Sequence, residues 1–513
     1  MEKTNYWNLL DTYGDTKDFK YLHGVEMEYF LLDENFQPVD NNEKLTELID
    51  ETYKIIKLKI DTDTKYCNKI LNLEIGTEAK LKLRPNNKDK DKIKTIFIEI
   101  RQKKHGLSRS APIDIIGKDT NLGTGNFITL ELVTPPCANV KELKFWLKTI
   151  LFSTQEACNK IGLKFLLLAG HPSIEKNYCG EHHHIGIKDT TRRIKIFNVL
   201  RLFIPYLTIL SFSYFEKPKN KHLEIQEDEF KTKINNQFIR GVRLKNTAQI
   251  KPVAPFLGTT KHDFAESVNL DFSSCRMVDM YPFTDYNTLE VRIFDTQISI
   301  ARTIASAVIL QGICLLALDV DNTIVDFLNK ILTKNLYRNL RLDCINKGLS
   351  SFQRARFYRV LQEDIKKACK FCLNSNKCDR KELKELKCNF VMNNELSHNL
   401  ISLLLFPRRF IMHNKFYGET HNKITTKDSI KQILYLINPY LIKMNLNQTI
   451  SLKVIERTLK AGFEPSMYWM IQYKKHESDL TGFYQKILNY QDKMREDKQN
   501  KWRTYYDPFL EIP

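Results

Sequence analysis

Three features of the chain predict an α+β fold: a largely antiparallel β-sheet with one acidic face and helices behind it, followed by a mainly helical C-terminal part. Five short segments alternate polar and apolar residues with the period of a strand. Two long stretches between them place apolar residues at three- and four-residue spacing, as a helix does. Beyond residue 321 strand signals fade and amphipathic helical patterns run on. Strands with helices between them suit a sheet backed by helices. The expected division is a core over 1–320 and a helical region over 321–513.

The strand segments are "HGVEMEYFLLD" (23–33), "TIFIEIRQ" (95–102), "FITLELVT" (127–134), "FLLLAGHP" running into "HHHIGI" (165–187), and "TLEVRIFD" (288–295). The first helix is "VKELKFWLKTILFSTQEACNKIG" (140–162), stopped by Gly162. The second is "QISIARTIASAVILQGICLLALDV" (297–320). Two lysine-rich stretches, "LRPNNKDKDKIK" near residue 90 and "EKPKNKHLEIQEDEFKTKINN" from 216, read as exposed insertions or active-site loops.

Composition excludes several classes. Hydrophobic residues at 42% and charged residues at 27% support a folded core and exclude a disordered polymer. The apolar run from Ile304 to Val320 contains Gln311 and falls short of the ~20 residues of a membrane span. The run from Val199 to Phe215 is broken by Arg201 and Pro205, so both read as core helices and no membrane is expected. The N-terminal residues lack a basic stretch followed by an apolar one. With eleven cysteines, this predicts reduced thiols and a cytoplasmic location. The net charge of +18 attracts polyanions, but lysine is scattered, so nucleic acid is a weak expectation as partner.

Alternation along a strand decides which residues share a face. Glu26 and Glu28 share one, with Val25, Met27 and Tyr29 opposite. Glu131 stands opposite Leu130 and Leu132. His182 and His184 share a face, with His183 and Ile185 turned away. Glu290 and Arg292 share a face, with Leu289 and Val291 behind. A solvated antiparallel sheet also alternates in this way. Four strands bearing carboxylate, imidazole or guanidinium in the same role point instead to a built site. Clustered carboxylates need a neutralising cation, and Mg²⁺ held this way usually also bridges nucleotide phosphates. Arg292 supplies a fixed positive charge for phosphate or carboxylate.

"GVEMEYFLL", "ITLELVTPP", "IGLKFLLLAGHP", the H-x-H-x-G of "HHHIG", "NVLRLFIPYLTILS" and "TLEVRIFDTQ" follow one another in this order. In these motifs the chain, over roughly residues 20–350, resembles the carboxylate–amine ligases related to glutamate–cysteine ligase, within the glutamine-synthetase-like superfamily. The resemblance implies an antiparallel sheet with a concave acidic face. It implies ATP with Mg²⁺, or Mn²⁺ in its place, as cofactors. Glu26, Glu28, Glu131, His184 and Glu290 are the implied metal ligands. Glu26, Glu28, His182, His184 and Arg292 are implied around the nucleotide. Arg292 is the implied phosphate clamp, and Arg240 or Arg243 in "FIRGVRLKN" the implied substrate or ATP contact. Gly241 stands where such proteins usually carry serine, a departure from the pattern.

The implied reaction joins an amino-acid or peptide carboxylate, glutamate foremost, to an amine through an acyl phosphate. Alternatives are the same scaffold used for amide hydrolysis or phosphoryl transfer, or a non-catalytic basic nucleic-acid-binding protein. A homo-oligomer is compatible with all of them. No GxxxxGK[ST] loop or G-x-S-x-G elbow competes. A separate cluster, Cys369, Cys372, Cys378 and Cys388, opens with a C-x-x-C pair suited to a structural Zn²⁺, with unligated thiols as the alternative.

Overall fold

The computed structural model describes residues 19–73, 77–85, 93–104, 107–118, 128–171, 178–213, 215–216, 239–240, 244, 250–349, 351–352, 400, 410–412, 415–417, 424–475, 479–495 and 507–510. Helices pack against one ten-stranded antiparallel sheet. Its strands are β1 (His23–Leu32), β2 (Asn72–Leu73), β3 (Thr77–Pro85), β4 (Lys94–Lys104), β5 (Leu107–Lys118), β6 (Thr129–Val133), β7 (Lys164–Phe165) and β8 (Gly180–Gly186). A separate short pair, β9 (Phe215–Glu216) and β10 (Ile239–Arg240), precedes β11 (Met280–Tyr281) and β12 (Thr288–Asp295). The order is β11-β12-β8-β1-β6-β5-β4-β3-β2, with β7 beside the end of β1.

β3 and β5 lie outside the expected strands. β5 carries Pro112 and Gly117, which weaken its own strand character, while β3 does alternate lysine with apolar residues but runs into the lysine-rich stretch read as a loop. Pairing along the whole of β4 supplies what propensity lacks. Leu83–Pro85 end β3 and Lys94 begins β4, so part of the first lysine-rich stretch is strand and 86–92 lie outside the described residues. The second stretch lies outside them from 217 to 238. Among the described residues of 165–187, only the ends pair as strands. Beyond Phe165 the ladder stops, and the Leu167 N–H donates to Gln491 (3.0 Å) from the C-terminal region.

The two expected helices are present as Val140–Lys160 and Ile300–Asp319. Asn139 caps the first, accepting from the Glu142 N–H (2.9 Å), and Gly162 leaves it at φ +73°. Ile300–Asp319 is long and apolar enough to cross a membrane, yet 94% of its apolar window is buried inside the protein. The 199–215 run is not one helix. Thr190–Leu200 and Ile204–Ser211 meet at 72°, because Pro205 cannot continue the first helix and suits the first turn of the second.

Helices Thr426–Lys443 and Ile450–Ala461 pack onto Ile300–Asp319 within one hydrophobic core. At Gly312 an added Cβ would lie 3.0 Å from Leu441 and 3.2 Å from Ile437, tighter than ordinary contact, so the missing side chain lets these helices approach closely. Arg302, fully buried, donates to both carboxylate oxygens of Asp507 (2.8 and 3.2 Å), which ties residues 507–510 to the same core.

Candidate active site

The four polar strand faces lie together because β12, β8, β1 and β6 are successive neighbours. Register completes the arrangement: Glu26 lies opposite His182, Glu290 opposite His184, and Glu28 opposite Glu131. This face is not a solvated sheet surface. His182 and Glu290 are fully buried, and Glu26 and Glu28 are only 9% and 5% exposed.

The imidazoles join the carboxylates. His182 Nδ1 is 3.0 Å from Glu26 Oε1, and its Nε2 is 3.7 Å from Glu28 Oε1. His184 Nε2 is 3.3 Å from Glu26 Oε2 and 3.9 Å from Glu290 Oε1. The other His184 nitrogen is held by the Thr288 hydroxyl (3.0 Å), which orients the ring. Glu28 Oε2 accepts from the Gly180 N–H (2.7 Å). Ligand atoms of Glu26, Glu28 and His182 all lie within 4.8 Å of one another, as do those of Glu26, His184 and Glu290. Glu26 belongs to both groups. Carboxylate oxygens with imidazole and no thiolate are a donor set for a hard divalent cation. Glu131, half-buried, completes neither group, although it faces Glu28 across the strand pair.

Two arginines hold Glu290. Arg292, nearly buried, donates to Glu290 Oε1 from the same strand. Arg276, which the sequence reading missed, donates from Nε to Oε2 (2.8 Å) and from Nη2 to Oε1 (3.0 Å), and lies 3.7 Å from Glu26. It comes from the turn before β11, where no periodicity marks it. Burial pushes the Glu290 carboxyl up, but Arg292, Arg276 and His184 together hold it well below the usual carboxylate range. For Glu26 burial is likewise outweighed, by His182 and His184, and the carboxyl stays low. Tyr286 is 46% exposed, but local desolvation together with Asp114 and Glu26 raises its hydroxyl, which places this tyrosine within the field of the cluster.

Arg240 lies in β10, apart from the main sheet, and its side chain is outside the described residues. Arg243 and the four cysteines Cys369, Cys372, Cys378 and Cys388 also lie outside them. The sheet therefore gathers Glu26, Glu28, His182, His184, Glu290 and Arg292, with Glu131 at its margin.

His183 turns to the opposite face. Gln311 Nε2 approaches His23 Nδ1 (3.3 Å), His23 Nε2 meets His183 Nδ1 (2.8 Å), and His183 Nε2 meets Glu181 Oε1 (2.9 Å). Gln311 Nε2 can only donate, so this chain runs consistently with each ring protonated at Nε2, a tautomer assigned from the bonding pattern. Thr303 donates to Glu181 Oε2 (2.7 Å). A bulge after Val291 shifts the register of β12 and brings the Phe294 ring against His183 at 4.9 Å.

No protein-family model matches the chain, and no curated protein matches it in sequence. Among solved structures it is similar to a bifunctional glutathione synthetase from Pasteurella multocida, with a TM-score of 0.38 and 10% identity, over 95% of this chain and 53% of that one. It is also similar to the ligase PafA, solved in complex with the prokaryotic ubiquitin-like protein Pup, with a TM-score of 0.35 and 9% identity, over 95% of this chain and 71% of that one. The chain thus spans about half the length of the glutathione synthetase. Similarity at these scores does not carry an activity from one protein to another.

Proposed function

We propose that this chain is an ATP-dependent carboxylate–amine ligase with a glutamine-synthetase-like core, of the kind related to glutamate–cysteine ligase, using glutamate or another amino acid as acyl donor. One observation carries the reading. Three carboxylates, Glu26, Glu28 and Glu290, are buried together and share two imidazoles, an arrangement that a merely solvated face has no reason to build.

A free carboxylate is a poor acyl donor because its leaving group would be oxide. In the proposed reaction a carboxylate oxygen attacks the γ-phosphorus of ATP and ADP leaves. The amine then attacks the acyl carbon, phosphate leaves, and an amide remains with loss of the amine's surplus proton. The donor set fits Mg²⁺, which when bound supplies charge neutralisation at the phosphate oxygens. Glu26, Glu28, His182, His184 and Glu290 would hold it, and Glu131 stands across from Glu28 at the margin. Arg292 is anchored by Glu290 and presents a fixed positive charge to the transferred phosphoryl. Thr288 and the Gly180 N–H keep His184 and Glu28 in place.

Release of ADP and phosphate, screened over amino acids and amines with product mass measured, tests this. The expected product is an amide lighter than its two substrates together by one water, made only when both are present. Glu28→Gln keeps an acceptor for Gly180 but removes the charge, so turnover falls at least about 100-fold while the thermal midpoint barely moves. ADP release that needs no amine, or no turnover beside DNA binding that weakens steeply with salt, overturns the proposal.

A further inference from the structure

We infer that Arg276 is the exchangeable cation of this site: it neutralises Glu290 and Glu26 until a divalent ion binds there, and then turns its guanidinium to the incoming anion. The inference rests on reading the acidic cluster as a metal site. The oxygens that Arg276 occupies are the ligand atoms themselves. It bonds both oxygens of Glu290 and lies beside Glu26 Oε2, and Glu26, His184 and Glu290 form one of the two candidate ligand groups. A divalent ion on the same lone pairs competes with the guanidinium for position and repels its charge.

The two arginines on Glu290 are not equivalent. Arg292 is side-chain buried to 8% exposure and stems from the same strand, so it has nowhere to go. Arg276 stems from a turn and is 39% exposed, so on release its charge can be rehydrated at once. Glu290 keeps Arg292 when Arg276 leaves, and no buried carboxylate is stripped of its partner. A planar guanidinium freed at the edge of a metal site matches a phosphate or carboxylate oxygen pair. The class of ligand is therefore the polyphosphate or carboxylate that accompanies the metal. Arg292, buried and strand-borne, keeps its place on Glu290 and cannot exchange in this way.

The test measures Mn²⁺ binding to the full chain without nucleotide, by calorimetry and by the paramagnetic resonance of free Mn²⁺, for wild type, Arg276→Met and Arg276→Lys. Removing the competitor should tighten Mn²⁺ binding of Arg276→Met about tenfold, with Arg276→Lys nearer to wild type. In the Mn²⁺-loaded proteins tripolyphosphate should bind about tenfold more weakly to Arg276→Met than to wild type. Mn²⁺ affinity in Arg276→Met equal to or weaker than wild type makes Arg276 a structural pin and overturns the inference while leaving the metal site standing. Absence of Mn²⁺ binding in wild type and Arg276→Met alike removes the metal site and the inference together.

Discussion

One strand, β8, serves two very different polar neighbourhoods. On its front His182 and His184 meet Glu26, Glu28 and Glu290. On its back His183 stands between His23 and Glu181, under helix Ile300–Asp319. Both neighbourhoods are buried, and both are hydrogen-bonded. They differ in charge balance. On the back, neutral imidazoles form a linear chain that ends on one carboxyl, and each partner is a fixed protein group. On the front, among the described residues, four carboxylates (Glu26, Glu28, Glu131 and Glu290) lie with two imidazoles and two guanidinium groups (Arg276 and Arg292), one of them half-exposed. A closed network stabilises a core; a buried cluster of ionisable groups with shifted titration is the kind of place where a ligand binds. Adjacent histidines separated by one peptide unit can thus belong to unrelated physics.

The largest expected effect breaks the front. Glu290→Ala strips two arginines of the carboxylate that both bind, so unfolding free energy should fall by ~3–5 kcal/mol, read from urea denaturation. A loss below ~1 kcal/mol would mean that the cluster is solvated after all.

A smaller loss is expected on the back. His183→Leu leaves His23 Nε2 and Glu181 Oε1 without their present partner, at ~1–3 kcal/mol for each orphaned group. Its Mn²⁺ affinity should stay within about threefold of wild type. A larger change would show that the two faces are coupled through the strand.

The smallest effect is a pH slope. Burial pushes the Glu181 carboxyl up to about 8, against the opposing bond from Thr303. Between the ordinary carboxylate range and that value the folded protein holds a proton that the unfolded chain has lost, so stability falls as pH rises. His23 and His183, both depressed by burial, the latter to about 3, act with opposite sign, and their contribution fades over the pH unit above their ordinary value of 6.5. From pH 6.5 to 8, then, Glu181 alone of the three should lower the thermal midpoint, by ~1–3 °C, and Glu181→Gln should flatten that decline. A midpoint equally steep in both proteins would assign the slope elsewhere.

Much of this was legible in the residues. Period-2 alternation located β1, β6, β8 and β12 and assigned Glu26, Glu28, Glu131, His182, His184, Glu290 and Arg292 to polar faces, because a strand has only two sides. Arg276 was not legible, since a turn has no period and its side chain finds Glu290 only in space. Nothing in the sequence distinguishes Glu181 from any other acid beside histidines. Its burial under Thr303 and the protonation that follows depend on a helix more than a hundred residues later in the chain. β5 was missed because Pro112 and Gly117 weaken its own strand signal, and β3 because its alternation runs into the lysine-rich stretch; their partner β4 decides the matter for both.

By itself the sequence determined the local periods, the helix stop at Gly162, and which side of each strand would be acidic, all of which are set by neighbours a few bonds away. Tertiary structure alone decided that four such strands lie side by side, that their acidic side is buried, and that Arg276 rests on Glu290. Those outcomes depend on strand order and register, which bring together residues as far apart as Glu26 and Glu290, and no local preference encodes such a meeting.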